Sequence, residues 1–255
     1  MAVTVYIPTP FRRATGNRDR VEVAARDVGG ALDELERAHA SLKGLVRDEQ
    51  GAVHQHVALY VNGEAVESLG TPLADGDEIA IIPALAGGGA GEAGGPARVS
   101  GLRVPGVDVI VSEAELAAIH GQAVEEYPFE ACGVILTRDG ERRLLRCRNA
   151  QNELHGRDPQ RYPRDARTAY YIDPKDLLRI GELERQGFAV GVIYHSHVDA
   201  GAYFSETDRR QALVGGEPAY PGATYVVTSV VEGRVQATAA FRWDEARRDF
   251  AAVEP

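Results

Sequence analysis

The chain has 255 residues, 44% of them hydrophobic, and a formal net charge of −10 at pH 7, which is enough apolar material for two compact domains. No basic patch predicts nucleic-acid binding, and no apolar run is long enough to cross a membrane. Only two cysteines and no charged-then-apolar leader are present, so we expect a soluble cytoplasmic protein without a disulfide framework.

The N-terminal third begins with two predicted strands and a helix. Apolar residues alternate over 3–7 and again over 21–23, which is the pattern of half-buried strands. Asp27 can cap a helix that runs to about His39, with its apolar residues on one face. Two strands followed by a helix are typical of the first half of a small α+β domain.

Two more strands complete this domain. Residues 57–61 alternate again and end at Asn62-Gly63, a dipeptide that favours a tight hairpin turn. The last strand spans 78–83 and is rich in isoleucine. The order strand, strand, helix, strand, strand predicts a β-grasp, ubiquitin-like fold.

A diglycine and a glycine-rich stretch follow the last strand. Gly87 and Gly88 end the segment ALAGG, and residues 89–100 (GAGEAGGPARVS) have no hydrophobic periodicity, which predicts a flexible linker. Such a linker spans about 18–20 Å on average. We therefore predict two domains, 1–88 and 101–255, joined by the linker 89–100. The overall fold class is α+β.

The end of the first domain resembles a known family. The segment LADGDEIAIIP over 73–83, followed by ALAGG, is similar to the ThiS/MoaD ubiquitin-like sulfur carriers, and most similar to CysO-like carriers. The resemblance implies a mature carrier that ends at its diglycine, an adenylating E1-like enzyme that activates the terminal carboxylate, and a cysteine synthase partner. Glycine allows the close backbone approach that such a tail needs.

Residues after the linker predict a larger domain of helices and strands. Ser112 can cap a helix over 113–126, and Asp173-Pro174 begins a second helix that ends near residue 185. A hairpin is predicted over 224–241. The loop 149–168 is long, polar and aperiodic, and we expect it to form part of a substrate groove.

Two histidines follow a predicted buried strand. The run FAVGVIY over 188–194 is apolar and rich in β-branched and aromatic residues, and His195-Ser196-His197 comes directly after it. Alternate residues of a strand share a face, so both imidazoles point the same way and Ser196 points away. Imidazoles are common zinc ligands.

The tetrad SETD follows seven residues later and begins a predicted helix. Ser205 and Asp208 are three residues apart and lie on one side of the helix start. In isolation such a tetrad more often forms a capping box, but the neighbouring His-x-His favours a metal site. Two imidazoles and one carboxylate leave an open position on a tetrahedral zinc, which is the catalytic arrangement. His54-Gln55-His56 has the same histidine spacing without such a tetrad, and we interpret it as structural or surface.

A carboxylate precedes another apolar strand in PFEACGVIL over 128–136. The patterns P-x-E-x-C-G-x-I, H-S-H and S-x-x-D together resemble the JAMM/MPN+ metallopeptidases of the Mov34/MPN family, of the Mec-like type. The resemblance implies a cytidine-deaminase-like α/β fold and a Zn²⁺ cofactor. It also implies that the metal ligands are His195, His197 and Asp208. Glu130 would be the general acid/base, and Ser205 would be the donor to the oxyanion.

The two resemblances together suggest a carrier joined through a diglycine to the kind of enzyme that cuts such bonds. We predict hydrolysis between Gly88 and Gly89, in cis or in trans, with the tail bound by strand addition. The competing diglycine Gly94-Gly95 is followed by Pro96, which disfavours an extended cleavage mode. A second possible role is release of cysteine from a carrier–cysteine adduct in cysteine biosynthesis. The alternative is a non-catalytic ubiquitin-like/MPN interaction scaffold.

Overall fold

The computed structural model describes residues 1–88 and 110–253. The α-helices of these ranges are α1 (Thr9–Arg12), α2 (Val28–Ala38), α3 (Glu113–Glu126), α4 (Gln151–Arg157), α5 (Pro174–Arg185) and α6 (Glu206–Gln211). The strands are β1 (Ala2–Tyr6), β2 (Arg20–Ala24), β3 (Val57–Val61), β4 (Glu64–Val66), β5 (Glu78–Pro83), β6 (Ala86–Gly87), β7 (Cys132–Arg138), β8 (Glu141–Cys147), β9 (Tyr170–Tyr171), β10 (Ala189–Val198), β11 (Leu213–Val214), β12 (Glu217–Pro218), β13 (Thr224–Val231), β14 (Arg234–Asp244) and β15 (Asp249–Ala252).

The described residues divide into two compact units. The first contains Met1–Ala84 together with Leu213–Ala219, and the second contains Leu85–Ala212 and Tyr220 onward. The diglycine tail therefore belongs to the second unit. The predicted linker 89–100, including Gly89, lies outside the described residues.

The first unit has the predicted β-grasp fold. Its sheet has the order β2-β1-β5-β3-β4, with β1 and β5 parallel and the other neighbours antiparallel. The predicted hairpin turn is present, with Asn62 and Gly63 both at positive φ. The short β4 that pairs with β3 was not predicted.

Helix α2 packs the core of this unit. Asp27 is its N-cap and accepts a hydrogen bond from the Gly30 amide at 2.7 Å, as predicted. Val28, Leu32 and Leu35 are fully buried because they form one face of the helix at helical spacing. The hairpin of β11 and β12 also belongs to this unit.

The second unit is built on a six-stranded mixed sheet. The strand order is β15-β14-β13-β10-β7-β8, with β10 and β13 parallel and the other neighbours antiparallel. Strand β10 lies inside the sheet between β13 and β7, so both of its edges are hydrogen-bonded, and helices α3 and α5 pack against it. Its continuous apolar run follows from that position.

Helix α3 packs against β10, β13 and β14, and α5 contacts β10. A capping box between Ser112 and Glu115 begins α3, and Asp173 caps α5 by accepting from the Lys175 amide. Both helices have the predicted bounds. None of the helices in the described ranges is long and apolar enough to cross a membrane.

The loop 149–168 differs from its prediction because it contains helix α4. Asn149 Oδ1 accepts a hydrogen bond from the Gln151 amide at 3.0 Å and so satisfies one donor near the start of this helix. The helix buries only Gln151 and so has no apolar stripe. Hydrophobic periodicity could not reveal it for that reason.

Candidate active site

Strand β10 brings the two histidines to one face of the sheet. His195 and His197 are both buried, and their Nε2 atoms lie 3.2 Å apart. Between them, Ser196 Oγ accepts a hydrogen bond from the Ala131 amide at 2.8 Å, on the neighbouring chain segment. The predicted alternation of side chains along this strand is confirmed.

The start of α6 supplies the carboxylate. Ser205 is the N-cap, and its hydroxyl accepts from the Asp208 amide at 3.0 Å. Asp208 Oδ2 in turn accepts from the Ser205 amide at 2.9 Å, which completes a capping box. This box fixes the Asp208 side chain against the helix terminus, at the candidate metal centre.

Three ligand-type groups meet at one point. In the described part of the chain, His195, His197 and Asp208 form one group whose ligand atoms all lie within 4.8 Å of one another. The histidine Nε2 atoms lie 3.4 Å from Asp208 Oδ1 and 3.7 Å from Oδ2, respectively. Zinc–nitrogen bonds of about 2.0–2.1 Å in a tetrahedral site place neighbouring ligand atoms about 3.3–3.4 Å apart. The three groups therefore fit a zinc ion.

The protonation states suit a metal centre. Burial alone would raise the pKa of Asp208, but the charge and hydrogen bonds of His195 and His197 hold it well below its usual value. Burial lowers the pKa of His195 against the opposing effect of Asp208. His197 Nδ1 lies 2.9 Å from the Gly201 carbonyl oxygen and must donate to it, which leaves Nε2 as the ligand atom. An ionised carboxylate and neutral imidazoles are the forms that bind metal.

Tyr170 forms a wall of this centre. Its ring stacks on His195 with centroids 4.7 Å apart and an interplanar angle of 27°. Burial raises the pKa of Tyr170 well above its usual value, and the Asp208 carboxylate raises it further. The phenol therefore stays neutral and helps to fix the imidazole plane.

Glu130 lies just before β7 and has no exposed surface. Its amide donates to the Ala166 carbonyl at 2.7 Å, and its own carbonyl accepts from Asn149 Nδ2 at 2.8 Å. The next residue, Ala131, is bound to Ser196: its amide donates to Ser196 Oγ, and its carbonyl oxygen accepts from the Ser196 amide at 2.9 Å. Glu130 therefore begins the segment that lies beside the histidine-bearing strand, and a buried carboxylate in that position is a candidate general acid/base.

The diglycine tail lies in the same site. Ala86 and Gly87 pair antiparallel with Tyr171 and Tyr170, which is the strand addition predicted for the tail. The Ile172 amide also donates to the Leu85 carbonyl at 2.9 Å. Backbone pairing therefore aligns the tail alongside the residue that stacks on His195.

Gly88 is held at both of its peptide groups. Its amide donates to Asp208 Oδ1 at 2.8 Å, and its carbonyl oxygen accepts from Ser205 Oγ at 2.7 Å. Arg164 Nη1 donates to the same carbonyl oxygen at 3.2 Å. The Ser205 hydroxyl thus caps α6 and donates to the tail at the same time.

No side chain fits at the last two tail positions. A Cβ on Gly87 would overlap the Asp208 carboxylate and lie 2.7 Å from Tyr170 Cε1. A Cβ on Gly88 would overlap the backbone of Thr168 and Ala169, and Gly88 also has a φ of 136°. The groove therefore requires glycine at both positions.

The structure brings together six of the predicted site residues: His195, His197, Asp208, Ser205, Gly87 and Gly88. Glu130 is buried in the segment beside the histidine strand. Tyr170 and Arg164 also belong to the site, and sequence reasoning missed both. Both lie in the segment between α4 and α5, where no motif marks them. Arg164 lies in the predicted loop 149–168, whose unusual length indicated a functional segment without naming its residues, and Tyr170 lies just after that loop, where no signal marked it. Gly89 lies outside the described residues.

The chain is thus a ubiquitin-like β-grasp domain fused to an α/β domain that has a candidate metal centre and a bound diglycine segment. Residues 112–244 match the family of prokaryotic homologs of the JAB domain, and residues 5–88 match the ThiS family. The chain belongs to the prokaryotic JAB-domain family and carries a ThiS-family domain at its N-terminus.

Several known proteins are similar to the carrier portion. The sulfur carrier protein CysO of Mycobacterium tuberculosis is 38% identical over 93 residues, which cover 34% of this chain and 100% of CysO. Small archaeal modifier protein 1 of Haloferax volcanii is 43% identical over 61 residues, 24% of this chain and 69% of that protein. The solved Amycolatopsis orientalis BexX/CysO complex matches with 38% identity, covering 34% of this chain and 99% of the other, at a TM-score of 0.32. The predicted resemblance to CysO-like carriers and to JAB/MPN domains is confirmed.

Proposed function

We propose that this protein is a zinc-dependent peptidase that hydrolyses the Gly88–Gly89 bond and so releases its own carrier domain. The observation that carries this proposal is the position of Gly88. Its amide is bound by Asp208, one of the three ligand-type groups, and its carbonyl oxygen is bound by Ser205, which caps the same helix. The carbonyl of the bond to be cut is thus fixed next to the residues that would cut it.

His195, His197 and Asp208 would hold the zinc ion. Bound there, zinc would supply the Lewis-acid chemistry that makes water a nucleophile at neutral pH. The Ser205 hydroxyl points its proton at the Gly88 carbonyl oxygen and would stabilise negative charge that develops on it. Tyr170 would keep the His195 ring in place through stacking.

Glu130 would move the proton. Its carboxylate accepts a proton from the attacking water as the new bond to the Gly88 carbon forms. The same proton is then given to the Gly89 nitrogen as the carbon–nitrogen bond breaks. The products are a carrier with a Gly88 carboxylate and a second domain with a free amine at Gly89.

A second substrate fits the same groove. The contacts to Gly87 and Gly88 involve only residues before the bond to be cut, so they do not discriminate between Gly89 and another amine. CysO is 38% identical to the carrier portion over its full length. Release of cysteine from a carrier–cysteine adduct is therefore the second candidate activity, and an adenylating enzyme and a cysteine synthase are the proposed partners.

The main competing hypothesis is a non-catalytic interaction scaffold. A scaffold has no need for two buried histidines and a buried aspartate whose ligand atoms lie within 4.8 Å of one another. Buried ionisable groups are costly unless they are paired or bind a metal. The cluster therefore favours the enzyme, and zinc content separates the two hypotheses.

Intact mass spectrometry of the full chain after zinc is added to the metal-free protein tests the proposal. We expect two products, a carrier that ends at Gly88 and the remainder that begins at Gly89. Glu130→Gln should abolish the cleavage and still bind one zinc ion, because Glu130 is not among the three ligand groups. Asp208→Asn should lose most of the zinc.

The matched control is Glu125→Gln. Glu125 lies on α3 and is exposed, and its carboxylate contacts only Arg146 among the described residues. This variant should be cut at the wild-type rate. Cleavage of the Glu130→Gln chain between Gly88 and Gly89 would contradict the assignment of Glu130 as the base. A wild-type chain that binds no zinc would favour the scaffold.

A further inference from the structure

The carbonyl oxygen of Gly88 accepts two hydrogen bonds, and only one of them comes from the Ser-x-x-Asp tetrad. The second donor is Arg164 Nη1, 3.2 Å away. We propose that Arg164 is a second catalytic donor, which stabilises the negative charge that develops on this oxygen and then binds the Gly88 carboxylate of the product. This inference rests on the proposed peptidase function.

The segment around Arg164 is held by side chains of α4. Gln151 Nε2 donates to the Arg164 carbonyl at 2.6 Å, and Asn152 Oδ1 accepts from the Ala166 amide at 2.9 Å. The guanidinium also donates to the Thr168 carbonyl at 3.3 Å. None of these three contacts involves the tail, so the arginine is held by its own domain, and a fixed donor stabilises developing charge without reorganisation at the moment of reaction.

The charge of Arg164 suits this location. The Gly88 amide lies on the buried Asp208 carboxylate, so extra negative charge on the tail meets an acidic neighbour. Within 1–88 and 110–253, no carboxylate forms an ion pair with Arg164. Its positive charge is thus available to the Gly88 oxygen, first as an oxyanion and then as a carboxylate.

A purely structural role makes different predictions. Arg164 also closes its own loop through the Thr168 carbonyl, so Arg164→Ala removes a loop contact as well as a donor. If the loop contact were all that mattered, free guanidinium in solution could not restore the rate. If the donor matters, guanidinium can enter the space that the alanine leaves and donate to the same oxygen.

The experiment measures the first-order release of the carrier after zinc is added to the metal-free full chain. Arg164→Ala should slow release by about 10- to 100-fold. This is at or below the lower end of the range for loss of an oxyanion donor, because the residue is half-buried. Millimolar guanidinium should recover part of this loss, and urea, which is similar in shape but neutral, should not. Arg164→Lys should lie between wild type and alanine.

Arg167→Ala is the control within the same segment. Arg167 is exposed, and its amide bonds to Asp165 rather than to the tail. This variant should keep the wild-type rate within about twofold, the range of surface substitutions.

A measurement on the metal-free chain separates donor and loop roles without activity. The carbonyl carbon signal of Gly88 in the NMR spectrum reports hydrogen bonding to its oxygen. It should shift in Arg164→Ala, return toward its original position with guanidinium, and stay unchanged in Arg167→Ala.

The outcomes distinguish the two proposals. If the Arg164→Ala chain releases the carrier at the wild-type rate while the Glu130→Gln chain releases none, the role of Arg164 is overturned and the peptidase assignment stands. A slow Arg164→Ala chain that guanidinium does not rescue, with an unchanged Gly88 signal, would also overturn it. A zinc-loaded wild-type chain that is never cut would overturn both.

Discussion

Gly87 and Gly88 show how two residues without side chains can determine what a site accepts. Gly87 lies against the Asp208 carboxylate and the Tyr170 ring, and Gly88 lies against the backbone of Thr168 and Ala169. Neighbours made of backbone and of a stacked ring cannot move aside at low cost. At the scale of single residues, specificity therefore comes from the absence of space for a Cβ.

A substitution of Gly88 tests this point. Gly88→Ala should slow release of the carrier by about 100-fold or more, because the tail cannot reach its position when a Cβ overlaps Thr168 and Ala169. Intact mass spectrometry over time gives the rate. The control is Gly121→Ala on α3, where a Cβ meets nothing within 4 Å.

Gly121→Ala should leave release unchanged and stabilise the protein by about 0.5–1 kcal/mol, because alanine is the better residue in a helix interior. Equal rates for the Gly88→Ala chain and the wild type would show that the tail does not bind in this groove.

At the scale of elements, the same capping motif begins two helices with different consequences. Ser112 and Glu115 form a capping box on α3, and Ser205 and Asp208 form one on α6. The first box satisfies backbone donors at the start of α3, and its Glu115 carboxylate also forms an ion pair with Arg142. The second also directs its carboxylate to the histidines and its hydroxyl to the tail. A cap becomes part of a site when its helix begins beside the ends of the central strands.

The paired serines separate stability from activity. Ser112→Ala and Ser205→Ala should each cost about 1 kcal/mol in the free energy of unfolding, because each removes an N-cap acceptor. Only Ser205→Ala should also slow carrier release, by about 100-fold, because only that hydroxyl donates to Gly88. Urea unfolding and timed mass spectrometry measure the two effects. Similar release rates for both variants would contradict the assigned donor.

At the scale of the whole molecule, the tail in the groove belongs to the same chain as the groove. The bond between the Gly88 amide and Asp208 joins residues 120 positions apart, and that between Gly88 and Arg164 joins residues 76 positions apart. An intramolecular substrate is present at a local concentration that does not depend on dilution. We therefore predict cleavage in cis.

Dilution and mixing test cleavage in cis. The first-order rate constant for release should stay the same over a 100-fold range of protein concentration. A Glu130→Gln chain mixed with a Gly88→Ala chain should remain intact, because the only working site and the only cuttable tail are then on different molecules. A rate that rises in proportion to concentration, with cleavage in the mixture, would establish the reaction in trans.

Much of this protein follows from short stretches of sequence. The bounds of β5, α3 and α5 agree with the predictions because a strand pattern or a cap followed by a helical pattern is complete within about a dozen residues. The opposite directions of Ser196 and the two histidines follow from the pleat of one strand. Helix α4 was missed because it has no apolar stripe.

The two folds, the metal-type ligand set and the diglycine could all be predicted from the residues alone, since each depends on a local pattern or on motif spacing. Three features became visible only in the folded protein: Tyr170 stacks on His195, Arg164 reaches the Gly88 carbonyl, and no residue but glycine fits at the last two tail positions. Those facts depend on distances between segments far apart along the chain. Such distances are set by how the whole sheet, its helices and the tail pack together, and no periodicity within one segment encodes them.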